Sequence, residues 1–428
     1  MHNLPNQIAS IPLFTHCFYN AIRRKVEITG YVQINTYFQH YSAKERRSLL
    51  EELNSPELFN LLQRSESDET KLYSIIEEIH LLQISETQIS LWPENTCHAI
   101  ISWLLYCAKQ KYAGAILHKL SRLCEERYST IKCIEDKYIV RDDVEPILIK
   151  DICSYIQTVL QLKPSGKLFY RGQSSLNYWI RPSIYRTALL EQKESTLYQE
   201  LLLRCPTNFQ NCHSHLDYLV EMQHYSLPTR LLDLTSNPLV ALYFSCGGKS
   251  NESGEVILFD TPNSIQKYTR SDTVSILSCL PLLSHEDQRE LLSLVNAHYK
   301  SISQFDFIDF NSQRIVHQLL QEIRTEKPAF VDRIIPNDLC TNLVITPTKM
   351  NNRIIRQSGA FFICGLINYA ITPSPLEKYR YREKKQRQPL LIIENKPALL
   401  RELNSMDINE ASLFPEIDNV ASFLTQNI

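Results

Sequence analysis

The sequence predicts an α+β protein, in which an all-helical N-terminal region is followed by a mixed, largely antiparallel sheet domain with a helical insertion. Three observations carry that expectation. Apolar residues recur at helical spacing up to about residue 160, short strand-like apolar runs take over beyond it, and seven of the nine glycines fall between 166 and 365. Nine glycines in 428 residues is roughly 2%, against a usual share of about 7%. Each is therefore expected where a side chain would obstruct the chain.

The helical pattern is explicit at Leu72, Ile75, Ile76, Ile79 and Leu82, which follow i, i+3, i+4, i+7 and i+10 on one face. Helical stretches also fall near 44–64, 95–108 and 113–128. Ile149, Ile152, Cys153, Ile156, Val159 and Leu160 form a last helix before the punctuating "LKPSGK" at 162–167. Residues 1–160 are thus read as a helical region and 161–428 as one mixed domain. Strands are expected at 167–171, 255–260, 343–346, 359–364 and 389–394. Helices are expected at about 195–204, 214–224, 238–246 and 285–297, with a mainly helical insertion over about 262–340.

Composition narrows the function classes. At 43% hydrophobic and 21% charged the chain has ample material for a large core, and its net charge of −2 gives no overall field for nucleic acid. Twelve cysteines contain no C-x-x-C pair and mostly sit in apolar runs, which reads as reduced thiols in a cytoplasmic protein. The N-terminus shows no secretory pattern, and no apolar run approaches the roughly 20 residues that span a bilayer. Membrane association is not expected. Cys212, His213, His215 and His224 match no zinc spacing, so no metal is expected. "GGKS" at 247–250 lacks the first glycine of a phosphate loop and follows a helix, so it reads as a connection. "KYRYREKKQR" at 378–387 reads as a solvated loop, and nucleic acid is not an expected partner.

Three segments carry chemistry. In "LFYRGQSS" (168–175), Arg171 ends a buried strand beside scarce Gly172, which suits a guanidinium fork for phosphate or carboxylate. The bland alternative is an arginine tying two elements together. In "MQHYSLPTRLLDLTSNPLVALYFS" (222–245), a strand carries Arg230 and Asp233. Thr235, Ser236 and Asn237 are N-cap types, and Pro238 suits the first helical position. Free amides at such a helix start make a ready anion site. In "NNRIIRQSGAFFICG" (351–365), Arg353, Arg356 and Gln357 precede Gly359 and an apolar strand.

These segments together resemble the FRG domain, named for its (F/Y)-R-G motif. The matching residues are Tyr170-Arg171-Gly172-Gln173, Gln223-His224-Tyr225 and Leu227 through Asp233. Thr235, Asn237-Pro238, Ala241 through Phe244, Arg353, Gln357, Gly359, Phe361 and the tail "SLFPEIDNVASFL" (412–424) complete them. The resemblance covers roughly 165–425. Ser226 and Leu234 stand where the pattern usually shows glycine and tryptophan. It implies a protein of bacterial or phage type, often found in defence or toxin-like settings, and it fixes no activity.

The order of features also resembles an ADP-ribosyltransferase core, which implies an NAD-using site. Arg171, Asp233 and Gln357 would form its reacting centre. Tyr170, Gln173, His224, Thr229, Arg230, Thr235, Ser236 and Arg353 would bind the nucleotide. No catalytic glutamate is in place, so Asp233 or Glu326 would have to serve. The competing reading is a non-catalytic nucleotide- or peptide-sensing module whose Arg and Asp motifs are structural, with the N-terminal helices recruiting a protein partner. Thr-Arg-x-x-Asp (229–233) is equally a good interior tie.

Overall fold

A computed structural model of the chain describes residues 3–39, 41–53, 55–65, 71–300, 307–348, 351–367, 374–383 and 386–426. Of the basic run at 378–387, residues 384 and 385 lie outside them. The chain divides into two compact units. One comprises Met1–Ile147, Ser175–Asn177 and Lys384–Leu390, and the other Leu148–Ser174, Tyr178–Glu383 and Leu391–Ile428.

The first unit is mainly helical. Pro12–Thr29 and Glu94–Arg127 are its long helices, and Phe14 of one stacks on Trp103 of the other with centroids 6.2 Å apart. Glu94–Arg127 is broken at Lys109, where φ is 53° and ψ −179°, between the two stretches expected from the sequence. Helices at Ala43–Leu50 and Lys71–Leu81 complete the pattern, the former started by a Ser42–Glu45 capping box. One addition was not foreseen. Strands β1 (Tyr31–Gln33), β2 (Ile131–Ile134) and β3 (Tyr138–Arg141) form a small antiparallel sheet in the order β1-β3-β2. Its hairpin turns through Glu135 and Asp136 at φ 50° and 55°, without the glycine that normally signals such a turn.

A second sheet has eight strands in the order β4-β11-β7-β5-β6-β10-β9-β8. They are β4 (Val144–Ile149), β5 (Lys167–Gln173), β6 (Leu231–Thr235), β7 (Gly254–Thr261), β8 (Gln266–Lys267), β9 (Asn342–Ile345), β10 (Gly359–Cys364) and β11 (Gln388–Ile393). Where the register is resolved, every pair is antiparallel except β8–β9.

Both faces of this sheet are covered in the second unit, which explains why its strands read as unbroken apolar runs. On β10, Phe361 and Ile363 join one core while Ala360, Phe362 and Cys364 join the other. On β6, Leu231 goes to the first and Leu232 and Leu234 to the second. The insertion contains helices Asp272–Cys279, His285–Lys300, Phe307–Asn311 and Arg314–Glu326. Its apolar stripes (Leu277, Leu291, Leu319 and Ile323 among them) pack into the core of Leu231 and Phe361. It therefore builds one of the covering layers and is no surface appendage.

Candidate functional site

The site begins where two strands part. Strand β5 pairs with β7 along its whole length, from Lys167↔Thr261 to Gln173↔Glu255, but meets β6 at one bridge, Tyr170↔Thr235. Beyond it Arg171 takes the place of ladder bonds. Its Nη1 donates to the Asp233 carbonyl at 2.8 Å and lies 3.7 Å from the Asp233 carboxylate. Gly172 is required next to it by close approach. A Cβ there would lie 2.0 Å from the Ala241 carbonyl and 2.6 Å from the Ser245 nitrogen, because the helix Pro238–Ser245 rests on this part of β5.

The gap opens into a cavity of about 200 Å³ lined by Tyr170, Arg171, Gly172, Gln223, Asp233, Leu234, Thr235, Phe244, Arg353 and Gln357. Gln223 is held at both ends of its amide. Its Oε1 accepts a short bond from Thr229 Oγ1, and its Nε2 donates to Asp233 Oδ1 at 2.6 Å. That fixes one carboxylate oxygen of Asp233 while the side chain remains 65% exposed. Thr235 Oγ1 donates to the Gln357 carbonyl at 2.6 Å, locking the loop before β10 onto the end of β6.

The C-terminal tail closes one side. Gln357 Nε2 donates to the Leu413 carbonyl at 3.0 Å, and Phe414 lies under the Arg353 guanidinium at 4.6 Å and edge-on to Phe244 at 6.0 Å. Arg353 Nη1 also donates to the His224 carbonyl at 3.4 Å. His224 Nε2 is 3.5 Å from Glu416, and His224 lines a smaller adjoining cavity of about 60 Å³.

Donors remain unspent here. Arg171 Nε is buried without a hydrogen-bond partner among the described residues, a cost that native structures rarely leave unanswered. Burial holds the Arg171 pKa below the usual guanidinium value; Asp233 opposes this and Arg186 adds to it. The guanidinium stays charged. Arg353 spends one N–H on His224 and rests its face on Phe414.

Several sequence expectations are corrected by this geometry. Arg230 does not reach the cavity. It is fully buried, with Nε donating to Glu194 Oε1 at 3.0 Å, Nη2 to Glu194 Oε2 and to Gln288 Oε1, and Nη1 to the Cys364 carbonyl. Thr229 acts through Gln223 and does not line the cavity. Gln173 is buried beyond it with Oε1 unpartnered. Glu326 accepts from the His215 N–H and from Ser275 Oγ, away from the site.

Most of the expected free amides at the helix start are also spent. Ser236 N–H donates to the Ser358 carbonyl, Asn237 N–H to Thr235 Oγ1 and Leu239 N–H to Asn237 Oδ1, while Pro238 has none. Asn237 caps the helix itself, and the N–H and hydroxyl of Ser236 both go to the Ser358 carbonyl. The "GGKS" connection points the other way from a phosphate loop: the carbonyls of Gly247 and Lys249, with that of Ser174, accept from the buried Lys396 ammonium at 2.7–3.0 Å.

Gln223, Phe244 and Phe414 were not singled out as site residues, although all three lie inside the quoted segments. The signal for Gln223 was its position at the end of the helix His215–His224, a few residues before Thr229-Arg230.

Comparison with curated proteins and with solved structures finds no significant match. The family model of the FRG domain matches residues 166–254, a span that includes Tyr170 through Gly172, Gln223, Asp233 and Phe244 and stops short of Arg353, Gln357 and the tail. The chain thus carries an FRG domain, and the cavity beside Arg171 is built largely from its matched residues.

Proposed function

We propose that the FRG domain binds a nucleotide phosphate in the cavity beside Arg171, with NAD as the candidate ligand. One observation carries this reading: two guanidinium groups, Arg171 and Arg353, line the same concave site as the positioned carboxylate of Asp233. Guanidinium forks match phosphate oxygens, a carboxylate accepts ribose hydroxyls, and Phe244 offers a ring face to a base or nicotinamide. Arg171 Nη2 makes no hydrogen bond among the described residues, so it is the donor that a phosphate oxygen in the cavity would meet.

The finer reading is NAD cleavage or ADP-ribosyl transfer. The bond between ribose C1′ and the nicotinamide nitrogen breaks with its electron pair leaving on nicotinamide; water or an acceptor adds to C1′ and gives up a proton. An oxocarbenium-like ribose needs a nearby negative charge, and Asp233 is the carboxylate that lines the cavity. Gln357 is neutral and tied to Leu413, so it positions and does not supply charge. A cytoplasmic setting, in bacterial or phage defence, suits such a consumer of NAD.

The attachment of the tail favours a second reading, a non-catalytic sensor. Arg353 and Gln357 both hold residues of 413–414, so a ligand that recruits either would disturb the tail. In that reading the first unit, which exposes Leu81 and Leu91, recruits a protein partner.

Calorimetric titration with NAD, alongside turnover of labelled NAD, tests both. Binding lost in Arg171→Ala is expected. Turnover lost in Asp233→Asn with binding kept supports the enzyme, binding without turnover supports the sensor, and no binding ends the nucleotide reading.

A further inference from the structure

Two further cavities adjoin the one beside Arg171. The adjoining cavity of about 60 Å³ shares Gln223, Asp233, Leu234, Arg353 and Gln357 with it. The same small cavity shares Val220 and Ile354 with a third of about 390 Å³. All three lie in the second unit, along the helix His215–His224 and the short helix Asn352–Arg356. Together they span the size range of sites that enclose small-molecule ligands, about 300–1,000 Å³, which the first cavity alone does not reach.

The third cavity has its own chemistry. Val220, buried Pro347 and half-buried Ile354 give it apolar walls. Asn211 and Glu221 project polar groups that make no hydrogen bond among the described residues, and Asp217 uses one carboxylate oxygen on the His213 N–H. The carboxylates act on the same wall: the thiol of Cys212 is pushed up to about 11 by burial first and then by Glu221 and Asp217. Apolar faces for a flat ring, an amide for a base edge and a carboxylate for ribose hydroxyls are what a nucleoside requires. An acidic side chain on a ribose is a recurrent solution in dinucleotide sites.

We propose that this third cavity is a nucleoside subsite, so that the FRG domain takes a dinucleotide whose pyrophosphate passes Arg353 and whose second nucleoside lies against Val220, Ile354, Asn211 and Glu221. The proposal rests on the nucleotide reading above. It adds the size class of the ligand and the residues that would select it over a mononucleotide.

Titration of the full chain with NAD and with nicotinamide mononucleotide tests it. The expected result is binding of NAD at least about tenfold tighter, the ratio that two or three added polar contacts give. The double variant Asn211→Ala, Glu221→Gln changes an exposed and a half-buried residue lining the third cavity, and is expected to bring NAD down to the mononucleotide affinity without changing the latter. Equal affinities in the unaltered protein, or a ratio that survives the double variant, overturn the subsite while leaving the nucleotide reading intact. If neither ligand binds, both fall together.

Discussion

Arg171 lies within β5 and Arg230 just before the neighbouring β6, and both are read from the sequence as ligand-binding, yet the fold treats them oppositely. Arg230 is fully buried, and its Nε, Nη1 and Nη2 all donate to protein acceptors, two of them to the Glu194 carboxylate. Arg171 gives one N–H to a carbonyl, leaves Nε without a partner among the described residues and faces a cavity. The difference lies in saturation. A guanidinium whose donors are met by the interior is a tie between elements; one with donors left over beside open volume is poised for an anion. Residue type cannot separate the two, because both sit beside a strand and near a carboxylate.

The sharpest way to break this comparison is to remove the saturated arginine. Arg230→Ala leaves the buried Glu194 carboxyl without its ion-pair partner and Gln288 deprived of one partner, and loss of one member of a buried ion pair costs about 3–5 kcal/mol. Equilibrium urea unfolding is expected to show that loss, and a change below about 1 kcal/mol would mean that the interior does not depend on this tie. Gly172→Ala comes next. Its Cβ would meet backbone atoms of the helix Pro238–Ser245 well inside contact distance, and backbone yields less readily than a side chain, so a loss of about 3 kcal/mol or somewhat more is expected from overpacking. The same melts measure it.

The unsaturated side of the comparison is sharpened by Arg353→Ala. Arg353 is partly exposed, with one weak bond to the His224 carbonyl and a ring contact with Phe414, so its removal is expected to cost less than about 1 kcal/mol in stability. The contact to a phosphate proposed for it would be worth more, about 1.5–3 kcal/mol, or at least roughly tenfold in NAD affinity. A variant that is normally stable and binds tenfold less tightly separates the ligand role from the structural one. Unchanged affinity removes Arg353 from the site.

How much of this was legible follows the same physics. Strands β5, β7, β9, β10 and β11 were readable within about two residues, because short apolar runs bounded by polar turns have little else to be. Arg353 and Gln357 were readable as partners of Arg171 only through their order in the chain, since they approach it across β10 and β6. What could not be read was the fate of hydrogen-bonding groups. Thr235, Ser236 and Asn237 look like an anion site in one dimension, but the Ser358 and Gln357 carbonyls arriving from 120 residues away, with the Asn237 side chain, use those groups up. Glu194 gave no sign that it would meet Arg230, because the pair is 36 residues apart and joins a helix to a strand. The hairpin at Glu135–Asp136 was invisible for want of glycine.

Glycine's absence elsewhere supplies the smallest and most discriminating effect. Ser226 stands at a position where the family pattern usually shows glycine, and its φ is 63°. It closes the helix His215–His224: the Leu227 N–H reaches back to the Met222 carbonyl at 3.0 Å, and the Ser226 N–H to Gln223 at 2.9 Å, the two-bond ending that demands a left-handed residue. A side chain in that conformation costs roughly 1–2 kcal/mol relative to glycine, partly offset by the greater freedom that glycine has in the unfolded chain. Ser226→Gly is therefore expected to stabilise the protein by about 1 kcal/mol in urea melts. The turn lies three residues beyond Gln223, whose amide is fixed by Thr229 and Asp233 and not by the turn. NAD affinity should accordingly stay within about twofold of the unaltered protein. A stabilised variant with weakened binding would instead show that strain at Ser226 helps to aim Gln223 at Asp233, and that the carboxylate's position depends on the helix end as well as on its own hydrogen bonds.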